Sequence, residues 1–306
     1  MQRHLLLLSL MILLFLFCNN KNETAELDHL KGIILVINQE NAELKDQINL
    51  LDEKYKEKTQ RLLQENKELK SQLDDAGEIL KIKQNIDKNG YLKQNINTDI
   101  QILRTGTFHG NEISNDAAKK EWFGLVKEKD GYILKRTKIK IDITRDIIID
   151  EEGEKSGKIV SAADIDVPVI LINGLKGIAE GPVKSFDLIN DQLYPGEFLS
   201  FKINKRWINV SAHGVCNPGE SLRSYMLQIS LQDNQKANQI FVGSDMFDDA
   251  MFKFLWAGDI DQDSMLDLII DTSSHYNVSQ ITLFLSSMAD EGDLIKQVAM
   301  FRTVGC

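Results

Sequence analysis

The stretch Ala257-Gly258-Asp259-Ile260-Asp261-Gln262-Asp263-Ser264-Met265-Leu266-Asp267-Leu268-Ile269-Ile270-Asp271 decides how the C-terminal part of this chain is read. Carboxylates stand at positions 1, 3, 5 and 9 of one short loop, and an apolar, strand-like run follows at once. A hard cation takes several oxygens at roughly 2.3–2.6 Å, and Asp at alternate positions of a tight loop supplies them. The carbonyl of Met265, at position 7, adds a backbone oxygen. Without a counter-ion, four carboxylates this close repel one another. Two readings are open. Either the loop 259–267 binds Ca²⁺ through Asp259, Asp261, Asp263, Met265 and Asp267, or it is a solvated acidic turn.

The loop resembles the calcium loop of FG-GAP/VCBS-type repeats, in which a glycine and D-x-[DN]-x-D-G-x-x-D precede a Leu-rich strand. On that pattern Asp259, Asp261, Asp263 and Asp267 match the side-chain ligands and Met265 the backbone ligand. Two positions depart from it: Gln262 stands where the family often has Gly, and Ser264 stands where Gly usually takes a positive φ. A side chain at such a position carries strain. Only one copy is present, and the chain left beyond its N-terminal helix is too short for a seven-bladed propeller. The longer run FDDAMFKFLWAGDIDQDSMLDLIIDTSSHYNVSQITLFLSS is similar to the C-terminal region of a group of bacterial exported proteins with one such motif. That likeness implies an architecture and no activity.

The full chain has 306 residues and a formal charge of −10. An acidic chain without a Lys/Arg cluster argues against nucleic acid, because phosphate neutralisation dominates that affinity. Cysteines stand at positions 18, 216 and 306 only, and no C-x-x-C is present, which argues against a thiolate zinc site.

Residues 1–17 read as an export signal: Arg3 supplies positive charge, and Leu5–Phe17 is apolar apart from Ser9. Thirteen residues span about 20 Å, short of the ~30 Å hydrocarbon core. Cys18 closes the run, so the segment resembles a bacterial lipoprotein signal with Cys18 as the acylated residue and 18–23 as a tether. An uncleaved anchor and ordinary cleavage nearby are the alternatives.

Residues 24–84 contain no proline and two glycines. Leu27, Leu30, Ile34, Ile37, Leu44, Ile48 and Leu51 recur at 3-4 spacing, with Asn41 at an a position. A second phase carries Leu62, Leu69 and Ala76 at d and Asn66, Leu73 and Leu80 at a. The step from Tyr55 to Asn66 reads as a stutter. A lone helix with this stripe would leave it wet, so the segment is predicted to be a coiled coil that makes a parallel dimer, a stalk of roughly 85–90 Å. A helix folded back on the globular part is the other reading.

Residues 85–100 read as a polar hinge, and 101–306 as a mainly β domain. In Ile133–Thr144, Ile139, Ile141 and Ile143 alternate with polar residues. Val167–Ile172 reads as a short strand, Phe198–Ala212 as a hairpin turning near Asn204-Lys205, and Tyr225–Leu231 as an alternating strand. Leu266–Ile270 and Ile281–Leu285 read as the last two long strands, and Glu151–Lys158 as a polar break that divides subdomains.

Catalytic patterns are weak. His213 and Cys216 lie close in sequence, but no G-x-S-x-G elbow or H-E-x-x-H helix is present. In an exported chain, Cys216 and Cys306 are the natural pair for a disulfide. His275 reads as a hydrogen-bonding residue of its connection, Asp164 and Asp166 as a loop, and Asp245, Asp248 and Asp249 as surface acids. Trp122, Trp207 and Trp256 read as core or rim packing. The sequence thus points to a non-catalytic, lipid-anchored protein of the bacterial cell envelope, periplasmic or on the outer surface. Its β domain, braced by Ca²⁺, would bind an envelope or extracellular ligand or act as a scaffold. An envelope hydrolase is the alternative.

Overall fold

A computed structural model describes residues 21–85, 96, 98–216, 221–232 and 234–305, with side chains described outside 21–23, 71–85 and 234–236. The signal, Cys18 and the tether as far as residue 20 lie outside these residues, as do residues 86–95 and 97 of the expected hinge and Cys306, while 21–23 belong to the helix. The chain forms two units, described separately below.

The first is one helix, α1 (Lys21–Asn85). Its sequence supports it locally, with few β-branched residues outside 33–37 and pairs such as Lys31–Asp28 and Arg61–Glu65 one turn apart. The stripe read from the heptads is exposed: Leu30, Ile37, Leu44, Ile48, Leu51, Tyr55, Leu62 and Leu69 all face solvent. Ile33, Leu35 and Val36 carry the apolar surface round the helix at that level. No helix of the described residues is long and apolar enough to cross a membrane.

The second unit is mainly β. Its strands are β1 (Gln101–Leu103), β2 (Gly106–Phe108), β3 (Glu121–Glu128), β4 (Gly131–Thr144), β5 (Gly157–Ala162), β6 (Ile170–Asn173), β7 (Gly181–Ser185), β8 (Phe198–Ile203), β9 (Arg206–Val215), β10 (Arg223–Leu231), β11 (Asn234–Met246), β12 (Lys253–Asp259), β13 (Asp267–Asp271), β14 (Val278–Leu285) and β15 (Lys296–Val304). Eleven strands make one sheet with the path β1-β6-β3-β4-β7-β12-β13-β14-β15, while β5 pairs β4 and β2 pairs β5. The two ends of this path meet, with Thr98 Oγ1 donating to the Val298 carbonyl at 2.7 Å, so the sheet is nearly a barrel. The other four strands form a sheet in the order β11-β10-β9-β8.

Two cores result. One fills the near-barrel and contains Trp122, Leu125, Ile170, Leu171, Trp256, Ile269 and Leu283. The other lies between the four-stranded sheet and the outer face of β12–β14, and contains Phe201, Val210, Leu227, Phe254, Leu268, Ile270 and Phe284. Strand β13 is therefore covered on both faces, which is why Leu268-Ile269-Ile270 does not alternate with polar residues. Strand β12 reaches both cores through a register shift between Phe254 and Trp256. Two residues apart on a regular strand, these rings would share a face; the bulge sends Phe254 to one core and Trp256 to the other.

Several expectations hold. The half-buried strand at 133–144 lies within β4, and the Tyr225–Leu231 strand within β10. The hairpin β8–β9 turns at Asn204 and Lys205, both left-handed at φ 46° and 67°. Other boundaries differ. The short strand starts at Ile170 rather than Val167, which is 79% exposed. A further long strand, β15, pairs with β14 and forms one end of the sheet. Glu151–Lys158 divides no subdomains, because β5 folds straight back onto β4 with Thr144 opposite Gly157. The polar composition there is that of a hairpin tip.

That hairpin is tied to the loop after β2 by His109 Nδ1 and the buried Asp146 Oδ2. The bond to Asp146 holds the His109 imidazolium above its ordinary 6.5, against partial burial. The same bond draws the Asp146 carboxyl below 3.8. A raised histidine pKa stabilises below 6.5 and loses its effect as pH rises through the folded value. A lowered carboxyl pKa stabilises above 3.8 and loses its effect as pH falls through the folded value. The pair should therefore contribute most between about pH 4 and 6.5. Urea melts of the parent and His109→Gln, run from pH 3 to 9, should show their largest gap in that window and a smaller one on either side.

Candidate metal centre

The loop between β12 and β13 is built from close backbone contacts. Gly258 pairs with Ser185 of β7, and a Cβ there would stand 2.2 Å from the Lys184 carbonyl oxygen and 2.3 Å from the Trp256 ring. Only glycine fits. Two residues beyond it take left-handed backbone without being glycine: Gln262 at φ 62° and Ser264 at φ 68°. These are the two positions at which the sequence departs from the glycines of the loop it resembles. The strain has a local return. Ser264 N–H donates to Asp259 Oδ2 at 3.0 Å, and Asn204 Nδ2 at the tip of β8–β9 donates to the Ser264 carbonyl at 3.0 Å.

Asp259, Asp261 and Asp267 each offer a carboxylate oxygen within 4.8 Å of the others. Asp259 and Asp267 are buried, and Asp261 is half-buried. The cluster can hold a metal ion. Asp267 is the most enclosed. Its Oδ2 accepts from Ile260 N–H at 2.8 Å and its Oδ1 from Ser286 N–H at 3.0 Å, so its orientation is fixed from two sides. Burial, and next the charge of Asp261, pushes its pKa well above the ordinary 3.8. Asp259 is raised too, by burial first and then by the charge of Asp263. Its Oδ1 is buried and makes no hydrogen bond among the described residues. A buried carboxylate oxygen without a donor is costly, and a cation satisfies it.

Asp263, expected beside these three, is not among the clustered oxygens. Its Oδ1 accepts from Met265 N–H at 2.7 Å and its Oδ2 from Ser286 Oγ at 3.0 Å. The structure thus brings three of the four expected carboxylates together and turns the fourth onto the loop and its neighbour. Two residues were not anticipated. Ser286 and Ser287, just after β14, donate to Asp267 Oδ1 at 3.2 Å and to Asp261 Oδ2, respectively. Their signal was faint: adjacent serines ending a buried strand.

The other candidates fall out as packing or surface. Trp122 and Trp256 are core residues, while Trp207 is 43% exposed. His275 pairs with Asp248 at 3.0 Å and stacks on Tyr276. Asp164 and Asp166 lie in a loop. His213 Nε2 stands 3.1 Å from Ser211 Oγ, two residues away on β9. Among the described residues no carboxylate is hydrogen-bonded to that ring. Cys216 is exposed beyond the end of β9, and its proposed partner Cys306 lies outside the described residues. A cavity of about 440 Å³ is lined by Tyr194, Cys216, Phe247, Asp249 and Met251 among others, and among the described residues no histidine or lysine lines it.

No protein-family model, curated protein or solved structure matches the chain.

Asp259→Asn removes one buried charge while keeping an oxygen to accept from Ser264 N–H. It should raise the melting temperature in chelator by about 2–4 °C, the equivalent of about 1 kcal/mol for a domain of this size. The same variant should lose any stabilisation by added metal, read in parallel melts.

Proposed function

We propose that this chain is a non-catalytic binding or scaffolding protein of the bacterial cell envelope. Lipid on Cys18 holds it to a membrane, a coiled coil projects and pairs it, and Ca²⁺ braces the β domain. The observation that carries the metal part is the buried Asp259 Oδ1, without a donor, beside Asp261 and Asp267. An all-oxygen donor set of carboxylates suits a hard cation, and the loop contains no histidine or cysteine for a softer one. The ion would be held by Asp259, Asp261 and Asp267, with Asp263 turning inward from its present bonds and Met265 offering its carbonyl. The metal's role is structural: it neutralises charge at the junction of β12, β13 and the turn after β14.

The pairing part rests on the exposed stripe of α1, whose leucines and isoleucines recur at coiled-coil spacing. A second copy of the chain is the partner with the same repeat and length. Asn41 and Asn66 at a positions would favour two parallel strands in register.

Isothermal titration of the intact protein tests the metal. Ca²⁺ should bind in the 10⁻⁴–10⁻³ M range usual for exported modules, and saturation at a hundredfold excess should stabilise by about 2.7 kcal/mol. Asp261→Ala should remove most of that gain. No heat up to several millimolar Ca²⁺, with melting indifferent to chelator, would overturn the reading.

A peptide of residues 24–84 should sediment as a helical dimer at tens of micromolar, whereas a monomeric, largely unfolded peptide refutes the stalk. Asn41→Ile should raise its melting point and loosen its oligomeric state.

A further inference from the structure

Away from the metal loop, the tip of the β4–β5 hairpin shows Ile147, Ile148 and Ile149 at 83%, 51% and 61% exposure. Ile143, at the end of β4, is exposed as well. Scattered surface apolar residues are ordinary, but three consecutive isoleucines held outward are not, and such patches mark interaction sites. The tip is not loose. Asp146 N–H donates to Asp150 Oδ2 at 2.7 Å, Asp150 N–H to the Asp146 carbonyl at 3.0 Å and Ile148 N–H to Asp146 Oδ1 at 3.1 Å. Ser156 N–H adds a bond to Asp150 Oδ2 at 2.7 Å, and His109 anchors Asp146. The backbone is pinned by its own polar groups while the side chains point to water. A surface held in shape in advance loses less entropy on binding.

The surroundings say what kind of partner fits. Of the six carboxylates between residues 142 and 156, Asp146 is buried against His109 and Asp142 pairs with Lys140, which leaves Asp150, Glu151, Glu152 and Glu154 beside two cations, Arg145 and Lys155. Glu151 and Glu152 are exposed next to the isoleucines. An acidic rim repels anionic lipid headgroups, and two copies of the tip set face to face would repel each other. An apolar centre with an acidic rim is complementary to a protein segment that offers apolar side chains flanked by Lys or Arg.

We propose that the Ile147–Ile149 tip is a docking surface for a cationic, amphipathic segment of a partner protein. This gives the binding module a binding face, rests on that reading only in being non-catalytic, and needs no metal.

The test uses the full chain and a labelled peptide of leucine and lysine in amphipathic helical spacing, with a leucine–glutamate peptide of equal length as control. Fluorescence anisotropy should show binding of the Leu–Lys peptide and none of the Leu–Glu peptide. The triple variant Ile147→Asn, Ile148→Asn, Ile149→Asn keeps every charge and should bind at least tenfold more weakly, with an unchanged melting temperature. Glu151→Gln with Glu152→Gln should weaken binding several-fold and flatten its salt dependence. If the triple variant folds poorly, Ile147→Asn alone, at the most exposed position, should show a smaller loss in the same direction. Equal affinity of parent and isoleucine variants would mean attraction by net charge only and overturn the proposal. So would isoleucine-dependent binding to phosphatidylcholine vesicles, or an isoleucine-dependent change in sedimentation, without isoleucine-dependent peptide binding. A failed Ca²⁺ titration leaves this result untouched, so the two ideas fail separately.

Discussion

Asp267 is the constraint around which the β domain is arranged. It is the first residue of β13, a strand buried on both faces, and its carboxyl is shut away from water. A charge in that position must be met by donors or a counter-ion. The chain meets it with two backbone N–H groups from different loops, Ile260 and Ser286. One carboxyl thereby joins the end of β12, the start of β13 and the turn after β14. The two cores share these three strands, so the charge cluster caps the place where both meet.

The loop around it is organised by carboxylates rather than by apolar contacts. Asp259, Asp263 and Asp267 each accept a backbone N–H, and the left-handed turns at Gln262 and Ser264 aim the chain inward. Backbone strain of this kind persists where the surroundings over-determine it. Here the determination comes from both sides: Asn204 reaches in from the four-stranded sheet, and Ser286 and Ser287 from the near-barrel. A cation at Asp259 would therefore be felt by both sheets, which gives the word brace a physical content.

What could be read from the sequence follows from how local each signal is. A strand with one wet face announces itself by alternation, as β4 does, and the Asn204-Lys205 turn is legible because few residues tolerate left-handed backbone. The acidic loop was legible because its spacing is the site. Closure of the sheet was not, since it depends on β1 and β15 meeting across almost the whole domain. The short strands β1 and β2 hold too few residues for any pattern to rise above chance. The withdrawal of Asp263 was hidden too, because spacing places an acid in a loop without saying which way it turns. The serines that do reach the cluster come from the turn after β14, about twenty residues on in the chain, so the spacing of the acidic loop could not name them.

The isoleucine tip shows the same limit in reverse. Read along the chain, Ile139, Ile141 and Ile143 form the apolar face of a half-buried strand, and Ile147–Ile149 follow it after Thr144-Arg145-Asp146. The structure divides them. Ile139 is buried against the near-barrel core and Ile141 is half-buried, while Ile143 and Ile147–Ile149 are exposed. The hydrogen bonds of Asp146 and Asp150 consume the polar groups of the tip, so the backbone gains nothing by rearranging to hide the side chains. Folding thus leaves apolar surface uncovered at a place it has also made rigid. A hairpin tip that only had to reverse the chain would be served better by polar residues, as the following Glu151-Glu152-Gly153 segment is. The isoleucines are therefore better explained by what they meet outside the domain than by anything they do within it.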